Sequence, residues 1–424
     1  MSEKLNVAKR PVPLEQPVPR RRSSFLAPFR YRDFRLLWCG LIVSNLGTWM
    51  QLTTLGYLVV KFAGNARMAA LDVGILGASS AVPVLLLSPL AGVVADRFPR
   101  RRVLLITNSL EVCAALTLAV LASTGRLALW EIFIIAGIRS TGQSFDAPAR
   151  QSWVPLLVPR EYLGNAIGLN SVAFNAPSVV GPPIAGILIL GIGVATSFYL
   201  NALLTLATVI VVLLMKSPPP SSTVRENVFA SIAAGVRFLA TDKVLRSVLL
   251  VLVATCLCVR PYQQLLPAYA AHVVHVDARG LGFLLAAVGA GAICGSLITA
   301  FVGARRRGII WYASACVMSS GTIALGFVHS FAVAIVVLMF MGLAVLSFVG
   351  SSNVLLQTLS PEDMRGRSIS VFAMIILGLI PAGSLLIGSL ASVIGLQTSF
   401  ICGGTVTLVV ASIVWALNAD LRAA

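Results

Sequence analysis

Long apolar runs recur along this chain, separated by short polar stretches, from about Leu36 to about Leu417. About 20 predominantly apolar residues carry a helix across a bilayer core. Runs of that length predict spans near 36–60, 73–95, 103–124, 127–147, 165–190, 194–215, 246–270, 280–303, 309–328, 331–354, 369–391 and 398–417. A membrane β-barrel would show segments of about ten residues with alternating polarity instead. The pattern predicts an all-α integral membrane protein with twelve transmembrane helices.

Composition sharpens this picture. The chain is 58% apolar and 11% charged, so lipid is the solvent for most of it. The net charge of +17 is placed asymmetrically. With a cytoplasmic N-terminus, 26 of the 32 Lys and Arg residues fall in inside segments, which orients both termini to the cytoplasm and argues for bilayer rather than nucleic-acid contact. The first apolar run follows 35 polar, Pro-rich and basic residues, without the pattern of a secretory signal peptide. Within them, "FLAPFRYRDFR" (25–35) alternates aromatics with arginines, as suits a segment at headgroup level. The seven cysteines sit in apolar runs without metal-ligand spacing and read as small core hydrophobes.

The longest internal polar stretch, 216–245, divides the spans six and six. It holds a Pro/Ser-rich link and a candidate interfacial helix. The predicted organisation is a tail (1–35), an N-terminal six-helix bundle (36–215), a linker (216–245), a C-terminal six-helix bundle (246–417) and a second tail (418–424). An internal repeat supports the division. At an offset of 202, "PREYLGNA" (159–166) falls on "PEDMRGRS" (361–368), "GPPIAGIL" (181–188) on "GSLLIGSL" (383–390), and "TSF" (196–198) on "TSF" (398–400). Upstream the offset is near 208, so the second copy is six residues shorter after its second helix. There "GVVADRFPRRRVLL" (92–105) has a degenerate twin, "VGARRRGII" (302–310), which keeps arginines and lacks the acid.

These features resemble the major facilitator superfamily, over residues 30–420. Its loop signature is matched by Gly92, Asp96, Arg97, Arg100 and Arg101, with Pro99 in place of the usual glycine. "RSTGQ" (139–143) resembles the arginine motif of proton-coupled antiporters with altered spacing, and "GPPIAG" (181–186) resembles the Gly-Pro motif of exporters. "FRYRDFRLLW" before helix one, the stretch after helix four and "LLPAYA" in helix seven are similar to the branch that includes the enterobactin exporter and related siderophore or drug exporters. The resemblance implies a cytoplasmic latch of Asp96, Arg100 and Asp146, an acid closing helix four, that locks an outward-facing state. The bland alternative is that the loop only sets topology through its bases.

Charges inside spans are costly and mark functional candidates. They are Glu111, Arg139 and Arg260, with Glu131 near the outer end of helix four. Glu111 is a candidate proton carrier, or else half of a fixed ion pair with Arg139. Asn45, Trp49 and Thr53 share one face of helix one. With Gln143, Asn170, Asn175, Gln263, Gln264 and Asn353 they are candidates to line a central cavity, or to make interhelical hydrogen bonds. Gly181, Pro182, Pro183 and Gly186 allow close helix packing. His272, His275 and His329 lack carboxylates at metal spacing, no phosphate-binding loop appears, and no nucleophile–base constellation emerges. Expected, then, is a monomeric non-enzymatic exporter without metal or cofactor, multi-pass in a bacterial inner membrane, moving a small organic molecule outward by alternating access in exchange for protons. The rival readings are an importer or facilitator, a lipid flippase and a membrane sensor.

Overall fold

The computed structural model describes residues 25–215, 228–301, 307–418 and 421, and among them every regular element is helical, with no strand. In lipid a helix satisfies its backbone donors and acceptors internally, which is why apolar runs fold this way. The helices are α1 (Arg32–Phe62), α2 (Ala66–Arg97), α3 (Arg100–Ser123), α4 (Leu129–Leu157), α5 (Leu163–Asn175), α6 (Pro177–Gly191), α7 (Val194–Leu214), α8 (Val228–Thr241), α9 (Lys243–Ala254), α10 (Tyr262–His272), α11 (Ala278–Phe301), α12 (Arg307–Leu325), α13 (Phe331–Leu359), α14 (Glu362–Ile394) and α15 (Leu396–Leu417). Helices α5 and α6 join end to end as one span, as do α9 and α10. The second joint is a π-helical turn, Thr255–Val259.

Ten helical spans among the described residues are long and apolar enough to cross a membrane. Helices α1 and α4 are long, at 31 and 29 residues, but are not among the ten. Their polar residues turn inward: Ser44, Gln51, Thr53 and Thr54 on α1, and Arg139, Ser140, Ser144 and Arg150 on α4, are all buried.

Several expectations need correction. Helix α4 continues to Leu157, so Asp146 lies within it rather than closing it. The single span near 165–190 is divided: α5 ends at Asn175 and α6 begins at Pro177, then runs through Pro182 and Pro183. The cysteines are not mainly core residues. Cys39, Cys113, Cys294 and Cys402 are exposed on the apolar surface, and Cys256 is buried. The candidate interfacial helix is present as α8, whose Gly235 packs on Arg367 and Val371 of α14, while 216–227 lie outside the described residues, as do 302–306 of the degenerate twin loop.

The repeat reappears as matched packing. A β-carbon at Gly282 of α11 would lie 2.5 Å from Pro182 O of α6, and one at Gly74 of α2 would lie 2.7 Å from Ser384 O of α14. Shifting 74 by 208 and 384 by 202 interchanges these contacts. The same shifts relate Gly186 against Ala278 to Gly388 against Ala70. Helix starts repeat too: Pro159 and Pro361 are N-caps with φ −59° and −56°, and Gly193 and Gly395 hold φ of +109° and +90° before α7 and α15. At these positive angles a side chain would be strained, so glycine stands at both.

Candidate functional site

Helices α1, α3 and α4 bring one ion pair into the interior. Glu111 Oε1 and Arg139 Nη1 are 3.9 Å apart, both residues are buried, and the Thr48 hydroxyl donates to Glu111 Oε1 at 3.5 Å. The separation exceeds hydrogen-bond range, so the pair is held by charge rather than by a directed bond. Arg139 Nη1 has no hydrogen-bond partner among the described residues.

Seven residues along α4 from Arg139, nearer the α2–α3 loop, Asp146 is held firmly. Arg150 donates through Nε to Oδ2 at 2.9 Å and through Nη2 to Oδ1 at 3.0 Å, one turn along α4. From α3, Asn108 Nδ2 donates to Oδ1 at 2.9 Å, and Thr107 Oγ1 lies at 3.4 Å. Charge-assisted bonds of this kind are the stronger class. Asn108 and Thr107 thus join α3 to α4 through Asp146.

Gly92, Asp96 and Arg97 fall on the last turns of α2, with their side chains outside the described residues. Arg100 is buried at the start of α3, and Arg101 Nη2 donates to Leu213 O of α7. Glu131 is not a buried charge: half-buried, its Oε2 accepts from the Ala128 backbone N–H at 2.8 Å and caps the start of α4. Arg260 follows the π-helical turn, with Nε and Nη1 buried and without hydrogen-bond partners among the described residues.

The predicted cavity face divides. Asn45, Trp49 and Thr53 do share a stripe on α1, but Asn45 Nδ2 donates to Ala173 O of α5 at 3.3 Å, Trp49 abuts Gly181 of α6, and Thr53 is buried with its hydroxyl on Trp49 O. Asn175 bonds back to Ser171 O, and Asn353 accepts from Gln357 Nε2. Gln143, Asn170 and Gln263 are half-buried, and Gln264 Oε1 lies over Gly77 of α2. Pro182, Pro183 and Gly186 form the seam with α11, and Gly181 abuts α1. Among the described residues no group of three or more His, Cys, Asp and Glu could hold a metal ion.

Inter-half contacts cluster toward one end. The close approaches recorded at glycines between α2 and α14 run from Ala70–Gly388 to Leu85–Gly378, and those between α6 and α11 from Gly186–Ala278 to Ser178–Gly289. All lie away from the 98–99 loop. Near that loop Leu86 and Leu90 on α2, and Arg365, Gly366 and Ser370 on α14, are exposed.

The sequence profile described as transmembrane secretion effector, a major facilitator superfamily group, matches residues 23–423. The chain belongs to this family. The transporter is 26% identical over 372 residues to the multidrug efflux pump Tap of Mycolicibacterium fortuitum, covering 85% of this chain and 89% of that one. It is 24% identical over 410 residues to macrolide efflux protein A of Streptococcus pyogenes, covering 92% and 98%. Among solved structures, a D-xylose-proton symporter superposes with a TM-score of 0.70 at 14% identity, covering 95% of this chain and 100% of that one. The protein is therefore a multi-pass membrane transporter of the superfamily, a fold and family that act on small molecules.

Sequence reasoning missed several residues of the transporter's polar interior. Thr48, Asn108 and Arg150 carry contacts to the candidate acids, and Asn201 Nδ2 donates to Gln51 Oε1 between α7 and α1. One signal was readable: Arg150 is spaced four residues from Asp146, the helical ion-pair register.

Proposed function

We propose that the transporter exports a small organic molecule across a bacterial cytoplasmic membrane by alternating access, with two six-helix halves rocking against one another. The observation that carries this reading is the one-ended packing between halves. With both termini cytoplasmic, the α2–α14 and α6–α11 seams close the outer side and the faces beside the 98–99 loop stand apart, which corresponds to an inward-open state. Matched glycine contacts on two seams suit a rocking movement, since a small change at each tilts one half against the other. In the opposite state Asp96, Arg100 and Asp146 act as the cytoplasmic latch. Drug and macrolide efflux named for the two relatives supports outward transport, and a siderophore is a further substrate class to test.

Proton exchange is the proposed energy source. Glu111 is the proton-carrying group, because its ion pair with Arg139 is too long for a directed bond and is open to exchange. Monomeric protein in proteoliposomes with an imposed proton gradient tests this. Gradient-dependent movement of erythromycin, a lipophilic dye or a siderophore toward the outer side supports export. Accumulation of the dye in expressing cells, or movement of fluorescent lipid between leaflets instead, overturns it in favour of an importer or a flippase.

A further inference from the structure

Buried charge is distributed unequally between the halves. Between Lys243 and Pro361 the sequence holds one acid, Asp277, which lies just before α11, where its Oδ1 accepts from Gly280 N–H. Arg260 therefore has no acidic residue within a candidate span of its own half; the next acids, Glu362 and Asp363, stand at the start of α14, before the span Met364–Ile394. The salt bridges found among the described residues, Glu111–Arg139 and Asp146–Arg150, both belong to the first half. A cation at membrane depth is retained only where it is paired or faces a water-filled cavity.

Its position identifies what it faces. Gln264, one turn into α10, lies over Gly77 of α2, and Pro267 packs on Gly56 of α1. That face of α10 meets the opposite half. Arg260 is one turn nearer the end at which the halves part, and it remains half-buried. Its counterpart in the repeat, at an offset of 208, is Leu52 of α1, which is 44% exposed. The π-helical turn Thr255–Val259 immediately precedes Arg260, and such turns are frequent at functional sites.

Resting on the export reading, we infer that Arg260 is the recognition group for an anionic substituent of the transported molecule, a carboxylate on a small amphipathic compound. A guanidinium with two buried, unbonded N–H groups offers a carboxylate charge-assisted hydrogen bonds.

Binding tests this without requiring transport. Rhodamine B and its ethyl ester differ in one carboxylate, and fluorescence anisotropy with purified full-length protein, against an empty-micelle control, reads both. Wild type is expected to bind the acid at least roughly tenfold more tightly than the ester, the scale of a charge-assisted bond. In Arg260→Gln the acid should weaken to the level of the ester while ester binding stays unchanged, which also reports an intact fold. Arg260→Lys should keep most of the preference. Equal wild-type binding of acid and ester, no binding of either, or a preference that survives in Arg260→Gln overturns the inference. Displacement of rhodamine B by phosphatidylglycerol but not phosphatidylcholine assigns the site to a lipid phosphate and overturns the small-molecule assignment. Transport of a cationic macrolide by Arg260→Gln at the wild-type rate, alongside lost acid preference, upholds the inference. Wild-type failure in the gradient assay with acid preference intact strikes the export reading alone.

Discussion

The two halves share a backbone plan and fill it with opposite chemistry. At the 202 offset, Arg139, Asp146 and Arg150 of α4 correspond to Met341, Phe348 and Ser352 of α13. Where the first half ties Asp146 to Arg150 and Asn108, the second stacks Trp311 on Phe348 at 5.9 Å and bonds Trp311 Nε1 to Ser352 Oγ at 3.0 Å. The α1–α7 seam uses the Gln51–Asn201 amide bond. Its counterpart brings Gly403, in register with Asn201, against Cys258 O, where a β-carbon would lie 2.5 Å away. One half is thus held by buried polar groups that can exchange partners, and the other by close backbone packing that cannot. Such a division fits the proposed proton coupling, which would place the responsive groups in the first half and the stiffer packing in the second.

The comparison breaks most severely at the glycine seam of the second half. Gly291 and Gly295 of α11 lie against the backbone of Met339 and Leu343 on α13, leaving no room for a side chain. Gly291→Leu should abolish monodisperse protein in size-exclusion chromatography, because overpacking costs about 1–3 kcal/mol or more. In the first half a β-carbon at Gly137 would meet Ser79 O at 3.3 Å, and Gly137→Ala should leave the profile intact.

Next in size is the ion pair. Arg139→Met leaves Glu111 buried without its partner, at a cost of about 3–5 kcal/mol. Adding Glu111→Ala installs the pair of residues found at the same registers of the second half, Ala313 and Met341. Thermal melts should show the double variant more stable than Arg139→Met alone, while gradient-driven transport is lost in both. Equal stability of single and double would uncouple the two residues.

Smaller effects separate latch from scaffold. Asp96→Asn should impair transport with membrane insertion unchanged, and a fully active variant would remove the latch. Asn108→Ala deletes a 2.9 Å bond to a carboxylate still held by Arg150, and should lower stability by about 1–2 kcal/mol in a denaturation series. Thr48→Val, at a 3.5 Å contact, should shift it by less than about 1 kcal/mol.

Much of this is legible in the sequence. Apolar run length located the helices, because a helix satisfies its backbone within each apolar segment, and the 202 and 208 offsets relate the matched glycine contacts. Helix ends were read less well. Polar residues from Asp146 to Ser152 looked like the end of a span, but Asp146 and Arg150 neutralise each other along α4 and let the helix continue. The Asn45–Trp49–Thr53 stripe was legible as periodicity, yet nothing local says whether a stripe meets a cavity or a neighbouring helix. Glu131 looked like an intramembrane acid and is a helix cap, a role decided by where α4 begins.

By itself the sequence determined the solvent, the approximate places of the helices and the internal repeat, since each follows from hydrophobicity and spacing along one dimension. Only the tertiary structure decided partners. Glu111 and Arg139 stand 28 positions apart, Asn108 and Asp146 38, and Gln264 meets a glycine from the other half of the chain. Electrostatics and packing act across a few ångströms of space, a distance to which position along the chain is blind.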